Sequence, residues 1–256
     1  MIANYHTHTP RCNHADGAER QYVERALEAG LTILGFSDHA PYLFPGFHDS
    51  WFRMTPEALP DYVQTVLSLR EEYHGRIQIP LGLELEYYPG LLPKMLPILR
   101  DLPLDYLLLG QHFTNNEYDG HYAGTATGDS AILTRYCDQC IEALQTGLFT
   151  YLAHPDLIHF RGSDNLYRQQ MRRLCRESAS CGIPLEINIL GLLKNRHYPD
   201  LRFWEIAGEE NCAVILGRDA HTPEQLTDTD CLGRAEQIVS NFGLRLLETA
   251  SLWPIR

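Results

Sequence analysis

No apolar run in the sequence approaches the roughly 18 residues that cross a bilayer. Stretches such as Tyr106-Leu107-Leu108-Leu109 stop at strand length. The opening Met1-Ile2-Ala3-Asn4-Tyr5-His6 has neither the basic segment nor the apolar core of a secretory signal. Positive charge is scarce. Lys and Arg number 21 against 33 Asp and Glu, a net charge of −12, which argues against nucleic acid or an anionic membrane as partner. The seven cysteines are odd in number and irregular in spacing, so a disulfide framework is not expected and a reducing cytoplasm is. Low-complexity tracts, long linkers, charge blocks and internal repeats are also missing. A chain of 256 residues, 44% hydrophobic and 21% charged, is expected to fold as one domain spanning residues 1–256. What the sequence does have is histidine: twelve of them, clustered beside Asp and Glu.

Short apolar segments alternate with helical patterns along the whole chain. Strands are predicted at Ile2–Tyr5, Ile33–Phe36, Ile79–Leu85, Tyr106–Gly110, Thr150–Ala153, Pro184–Ile189 and Ala213–Leu216, with Leu244–Leu247 a further strand or closing segment. Helices are predicted at Ala18–Ala29, Pro56–Tyr73, Pro93–Arg100, Ser130–Gln145, Leu166–Ser180, Leu201–Glu210 and from Pro223 to about Asn241. Sevenfold alternation of this kind indicates parallel βαβ units. Both a closed barrel and an open doubly wound sheet would produce it. The polar residues separate the two, because each strand runs directly into His, Asp, Glu or Asn at its C-terminal end. In a (β/α) barrel those ends converge on one rim; an open sheet gathers ligands mainly at one crevice. The expected architecture is an α/β barrel with its site at the C-terminal ends of the strands.

His6 and His8 lie two apart on a strand, so both imidazoles can face one metal. His14 follows in a loop that can fold back over the rim. Asp38-His39 closes the second strand, with His39 the expected ligand and Asp38 orienting a neighbour. Glu84 and Glu86 share a face of the third strand; a buried carboxylate there needs a partner or a metal, whereas a solvated strand end is the reading preferred for Glu86. His112 ends the fourth strand and His154 the fifth, Glu186 and Asn188 share a face of the sixth, and Asp219 and His221 repeat the i, i+2 spacing after the seventh. Seven histidines (His6, His8, His14, His39, His112, His154, His221) and two carboxylates (Glu84, Asp219) therefore map to one rim. That exceeds the needs of one tetrahedral zinc. Mixed nitrogen and oxygen donors suit two or three divalent ions of Zn, Mn or Fe. His48 and His121 are loop residues without a partner pattern, and His74 sits at a helix end where a cation complements the dipole. Cys137 and Cys140 are expected to share a packed helix face; Cys12 sits in a rim loop, but the ligand count does not require it.

His6-Thr7-His8-Thr9, Cys12-Asn13-His14-Ala15-Asp16-Gly17, Gly35-Phe36-Ser37-Asp38-His39, Gly82-Leu83-Glu84, His154-Pro155-Asp156 and Gly217-Arg218-Asp219-Ala220-His221 together resemble the motifs of the polymerase-and-histidinol-phosphatase (PHP) family. The Cys-x-His-Ala-x-Gly stretch and Glu186-Ile187-Asn188 resemble its histidinol-phosphatase branch in particular. The resemblance implies a distorted (β/α)7 barrel carrying a trinuclear metal centre. It implies His6, His8, Glu84 and Asp219 around one ion. Glu84, shared, would join His112 and His154 around a second, and His14, His39 and His221 would hold a third. It also implies Glu84 rather than Glu86 as the ligand. Arg218 stands where the branch often has serine, as a substrate contact or a helix partner.

The chemistry expected of such a site is hydrolysis of a small phosphate ester, with L-histidinol phosphate favoured by resemblance. Metal coordination brings the pKa of water from 15.7 to roughly 7, so a metal-bridging hydroxide is the expected nucleophile. Arg161 and Arg196, after the fifth and sixth strands, are candidates to hold phosphoryl oxygens. Asp16 and His197 are candidate acids for the leaving alkoxide, and Glu86 is a candidate partner for a cationic amino alcohol. Another small phosphate ester or a phosphodiester is the alternative within the family. An amidohydrolase shares the His-x-His opening but leaves His14, His39 and Glu84 without a task, and a non-catalytic metal module would be expected to lack ligands.

Overall fold

The computed structural model describes residues 1–46 and 50–254; His48 lies outside them. Parallel strands are arranged in two ladders. The first pairs β1 (Ala3–Asn4) with β2 (Ile33–Leu34). The second runs in chain order through β3 (Gly82–Leu85), β4 (Tyr106–Leu109), β5 (Tyr151–Leu152), β6 (Leu185–Asn188), β7 (Ala213–Gly217) and β8 (Arg245–Leu246). Parallel bridges join the ladders into a ring: Ile33 to Gln78, Phe36 to Leu81 and His39 to Glu84 on one side, and Thr7 to Ala220 on the other. On that second side β8 pairs with the N-terminal half of β7, leaving β1 to meet only the segment that follows β7. The ring is distorted there. Regular strands are shorter than predicted because the chain leaves ladder geometry where it turns toward the rim.

Strand alternation sorts the side chains. Leu107 and Leu109, Leu83 and Leu85, Leu185 and Ile187, and Val214 and Leu216 point outward into one core shared with the helices. Tyr5, Tyr106, Leu108, Tyr151, Ala153 and Ile215 fill the interior of the ring as a second, smaller core. The Tyr106 hydroxyl spans that interior, donating toward the Tyr5 and Phe36 carbonyls at 2.7 and 3.0 Å. The same alternation turns Glu84, Glu186 and Asn188 inward.

The helices are α1 (Glu19–Glu28), α2 (Leu59–Glu72), α3 (Leu92–Arg100), α4 (Ser130–Gln145), α5 (Asp164–Cys181), α6 (Ile189–Leu193), α7 (Leu201–Glu209) and α8 (Asp230–Asn241). In α5 the buried residues Tyr167, Gln170, Met171, Leu174, Cys175 and Ser178 fall at helical spacing on one stripe. That helix begins two residues before the prediction, where the Ser163 hydroxyl caps it, and ends at left-handed Gly182. Residues 56–58 form a 3₁₀ turn ahead of α2, and Pro60, which has no N–H to lose, sits in its first turn. The helix predicted from Pro223 is divided into a 3₁₀ turn at Pro223–Thr227 and α8. The division falls where Arg218 Nη1 takes the Gln225 and Asp228 carbonyls and the Asp228 carboxylate caps Cys231. Sequence reading missed α6: it assigns no element between the strand ending at Ile189 and the helix from Leu201, but the Asn188 side chain accepts the Gly191 N–H at 2.9 Å and starts a helix there. Cys137 and Cys140 are buried on one face of α4, and the seven cysteines are all free. No helix of the described residues is long and apolar enough to cross a membrane.

Candidate metal centre

The C-terminal ends of the strands open into a cavity of about 310 Å3. At its floor stands Glu84. Its Oε1 lies 3.0 Å from His154 Nε2, 3.5 Å from His6 Nε2 and 3.7 Å from His112 Nε2. Its Oε2 lies 2.9 Å from His39 Nδ1 and 3.7 Å from His8 Nε2. Asp219 Oδ1 faces the same ring of nitrogens, 3.1 Å from His8 Nε2 and 3.4 Å from His6 Nε2. His14 and His221 meet Nε2 to Nε2 at 2.9 Å nearer the mouth. All nine residues singled out as candidate ligands are thus contiguous.

How the imidazoles are held sets which atom each presents. His6 Nδ1 donates to Glu186 Oε1 at 2.8 Å, His8 Nδ1 to Asp38 Oδ1 at 3.3 Å, and His112 Nδ1 to Glu86 Oε1 at 2.9 Å. His14 Nδ1 donates to the Cys12 carbonyl at 2.7 Å and His221 Nδ1 to the Asp219 carbonyl at 2.9 Å. With the proton on Nδ1, the Nε2 lone pair of each ring faces the centre, the arrangement carboxylate and carbonyl partners give to metal-binding histidines. Asp38 is itself fixed by the N–H groups of Thr9 and His39 and by the Thr9 hydroxyl. Asn188 Nδ2 steadies both Glu186 and Asp219, at 3.1 and 3.0 Å.

Backbone placement is equally specific. His154 and Asp219 have φ of 30° and 50°, a left-handed conformation that costs a residue other than glycine about 1–3 kcal/mol. Gly110 and Gly217 are small for a different reason, since a Cβ at either would overlap the carboxylate of Glu84 or Glu186. The buried atoms His6 Nε2, His8 Nε2 and Glu84 Oε2 make no hydrogen bond within the protein. Lone pairs of buried imidazoles and carboxylates converge here, and a shared cation is what satisfies them. The donor set fits divalent ions.

Burial alone would raise the pKa of Glu84, but the imidazoles of His112, His39 and His6 outweigh it and hold the carboxyl well below the usual range. Asp219 behaves alike, with His6, His8 and His221 opposing burial. Burial, reinforced by neighbouring His8, pushes His14, His39 and His221 below the ordinary histidine value. These rings are neutral at pH 7, the form that ligates metal. His6 and His8 are pushed the other way: burial is overcome by Glu186, Asp219 and Glu84 at His6, and by Asp219 and Asp38 at His8.

The remaining candidates divide. Asp16 and Arg196 line the cavity, with Arg196 Nη1 held at 2.5 Å by the Tyr198 hydroxyl. Arg161 and His197 do not line it. Arg161 Nε contacts His159 Nε2 at 2.8 Å, and His197 stacks on His159 at 4.0 Å while bonding the Leu157 carbonyl; the segment after β5 holds Arg161 and the segment between α6 and α7 holds His197, and both turn to His159 instead of the cavity. Arg218 is buried against the carbonyls at residues 225 and 228, a helix partner and not a substrate contact. Glu86 was expected at a solvated strand end or beside a cationic substrate. It is fully buried and paired with Arg53 and His112, because strand periodicity carries it to the same interior face as Glu84. Sequence reading also passed over Trp51, Phe52, Phe113, Tyr122 and Lys194, which line the cavity. They belong to loops without periodicity, so only their composition could have drawn attention. Cys12 Sγ falls into a group with His8 and His221 nitrogens, all within 4.8 Å of one another.

The PHP domain family matches residues 4–189 of the chain. A probable histidinol-phosphatase of Deinococcus radiodurans is 31% identical over 236 residues, which cover 88% of each protein. A histidinol-phosphatase of Bacillus subtilis is 27% identical over 247 residues, covering 84% of this chain and 92% of that one. Among solved structures, the histidinol phosphate phosphatase of Lactococcus lactis in complex with zinc, L-histidinol and phosphate superposes with a TM-score of 0.75 at 20% identity, over 98% of this chain and 97% of that one. That likeness is one of fold.

Proposed function

The chain belongs to the PHP domain family, and from that premise we propose that it is a metal-dependent phosphomonoesterase that hydrolyses L-histidinol phosphate to L-histidinol and phosphate. The observation that carries the reading is the convergence of nine imidazole and carboxylate donors, seven lining one cavity with His6 and His8 directly behind Glu84 and Asp219, in a chain 31% identical to a probable histidinol-phosphatase. His6, His8, Glu84 and Asp219 would hold one divalent ion, Glu84, His112 and His154 a second, and His14, His39 and His221 a third, with Zn, Mn or Fe suited to the donors. Bound there, such ions supply positive charge for the phosphoryl oxygens and acidify water to near neutral pH, which a chain of net charge −12 does not achieve otherwise.

The protein's own groups orient the ester. Arg196 and Lys194 stand on one wall of the cavity, where a guanidinium fork and an ammonium match phosphoryl oxygens. Trp51, Phe52, Phe113 and Tyr122 form a connected aromatic wall, with successive ring centroids 5.4, 5.9 and 5.3 Å apart. A partly exposed aromatic wall of this kind, offering both ring faces and ring edges, suits the imidazole of the leaving group. Asp16, at the mouth, is the carboxyl placed to hand a proton to the departing alkoxide. In an amidohydrolase His14, His39 and Glu84 would be superfluous, whereas here each would serve as a ligand in the one centre.

Phosphate release from L-histidinol phosphate, sugar phosphates and nucleotides, measured on protein of assayed metal content, tests the reading. Histidinol phosphate is expected to give the highest kcat/KM. Preference for nucleotides would overturn the substrate and leave the hydrolase; no release from any ester by metal-loaded protein would overturn both.

A further inference from the structure

Arg53 does not line the cavity, belongs to no motif, and is only 2% exposed. Its guanidinium spends four of its five N–H donors on neighbouring loops. Nη1 donates to the Ala40 carbonyl at 2.7 Å and to Glu86 Oε2 at 3.1 Å, Nη2 to Glu86 Oε1 at 2.9 Å, and Nε to Glu117 Oε2 at 2.8 Å. Its own carbonyl accepts from Asn13 Nδ2 at 3.2 Å, and its cation lies 4.4 Å from the centre of the Phe52 ring. The segments it ties are those carrying three imidazoles. Asn13 precedes His14, Ala40 follows His39, and Glu86 Oε1 accepts from His112 Nδ1.

We propose that Arg53 is a positioning residue for the mouth side of the metal centre: through Glu86 its side chain fixes the tautomer and ring plane of His112, and through the Ala40 carbonyl it sets the loop of His39. Arginine suits the task because its planar fork grips a carboxylate at two points and its charge persists at any pH the protein meets. His6 and His8 are braced instead by Glu186 and Asp38, so the deep side does not depend on it. Loss of the fork should therefore weaken the positions that draw on His112 and His39 and spare the one built on His6 and His8. The inference rests on the metal-centre reading above.

The test is a Zn(II) titration of chelator-stripped protein against a competing chelator, with metal analysis after dialysis, for the unaltered chain, Arg53→Lys and Arg53→Met. The Co(II)-loaded visible spectrum is recorded alongside. Both variants should lose affinity for the ions that draw on His112 and His39 by about 10-fold or more, the lower end of the effect of disturbing the partner of a ligating histidine, with a matching change in the cobalt spectrum. The ion built on His6 and His8 should change by less than about twofold. Variants that keep every affinity, or that weaken all ions equally, overturn the proposal. Should neither variant fold, the 15N shifts of His112 in the unaltered protein still decide, since a proton on Nε2 instead of Nδ1 overturns it. An unaltered protein that takes up no divalent ion removes the metal-centre reading, and this proposal with it.

Discussion

Two populations of charge occupy this molecule, and they are built differently. At the rim, Glu84, Glu86, Glu186, Asp38, Asp219 and Arg53 are each less than 5% exposed, and each is engaged by several fixed partners. On the outer shell, α5 and α7 exchange Arg168–Glu205, Arg172–Glu209 and Arg176–Glu210 contacts with side chains that are mostly a third or more exposed. Charge in water is cheap to keep and holds little. Charge out of water is costly unless every atom is answered, so its presence at the rim marks a place where the fold gives up stability for chemistry. The left-handed backbone at His154 and Asp219 marks the same place.

The sharpest test of that contrast is Glu84→Ala. It removes the carboxylate faced by five imidazoles, and phosphate release should fall by about a thousandfold or more, the several kcal/mol that metal-assisted charge stabilisation supplies. Metal content measured on the same samples should fall with it. Glu186→Gln should act more gently. Its amide would present a donor toward the His154 N–H and Asn188 Nδ2 or leave His6 Nδ1 without a charged acceptor. Metal affinity is expected to drop about 10–100-fold, read by chelator competition.

The smallest effect belongs to the shell. Arg172→Ala should change stability by no more than about 1 kcal/mol, less at high salt. Hydrogen bonds from Arg176 and Arg172 hold Glu210 below its ordinary value of 4.5. A carboxyl with a lowered folded pKa binds fewer protons when folded, so its contribution is present above pH 4.5 and fades as pH falls through the folded value. Thermal melts at pH 7 and pH 3, with and without salt, check this. A shell substitution that matched Glu84→Ala in its effect on phosphate release would break the contrast.

Legibility followed the same division. Glu84, Asp219 and six of the seven histidines could be found because strand periodicity and i, i+2 spacing are local rules and each lies in or after a strand; His14 was reached through its loop, close in sequence to His6 and His8. Glu86 carried the same local signal, yet nothing local says whether a strand end is solvated. Arg53 had no signal at all: it lies in an irregular loop, and its partners are 33 and 64 residues away. Arg161 and His197 were placed near the rim by chain position, but two separate segments, one after β5 and one after α6, bring them together at His159 and away from the cavity. Helix α6 was hidden because five apolar residues look alike in a strand and a buried helix, and one asparagine cap decides between them.

The alternation of strands and helices, the inward face of each strand and the donor chemistry gathered at the strand ends are all written in the order of residues, because backbone periodicity acts over two to four positions. Which donors meet, which carboxylate stands among them and which arginine sits buried behind them depend on closing the ring. That closure brings Thr7 to Ala220 and His39 to Glu84, pairs between distant parts of the chain that no local rule reaches.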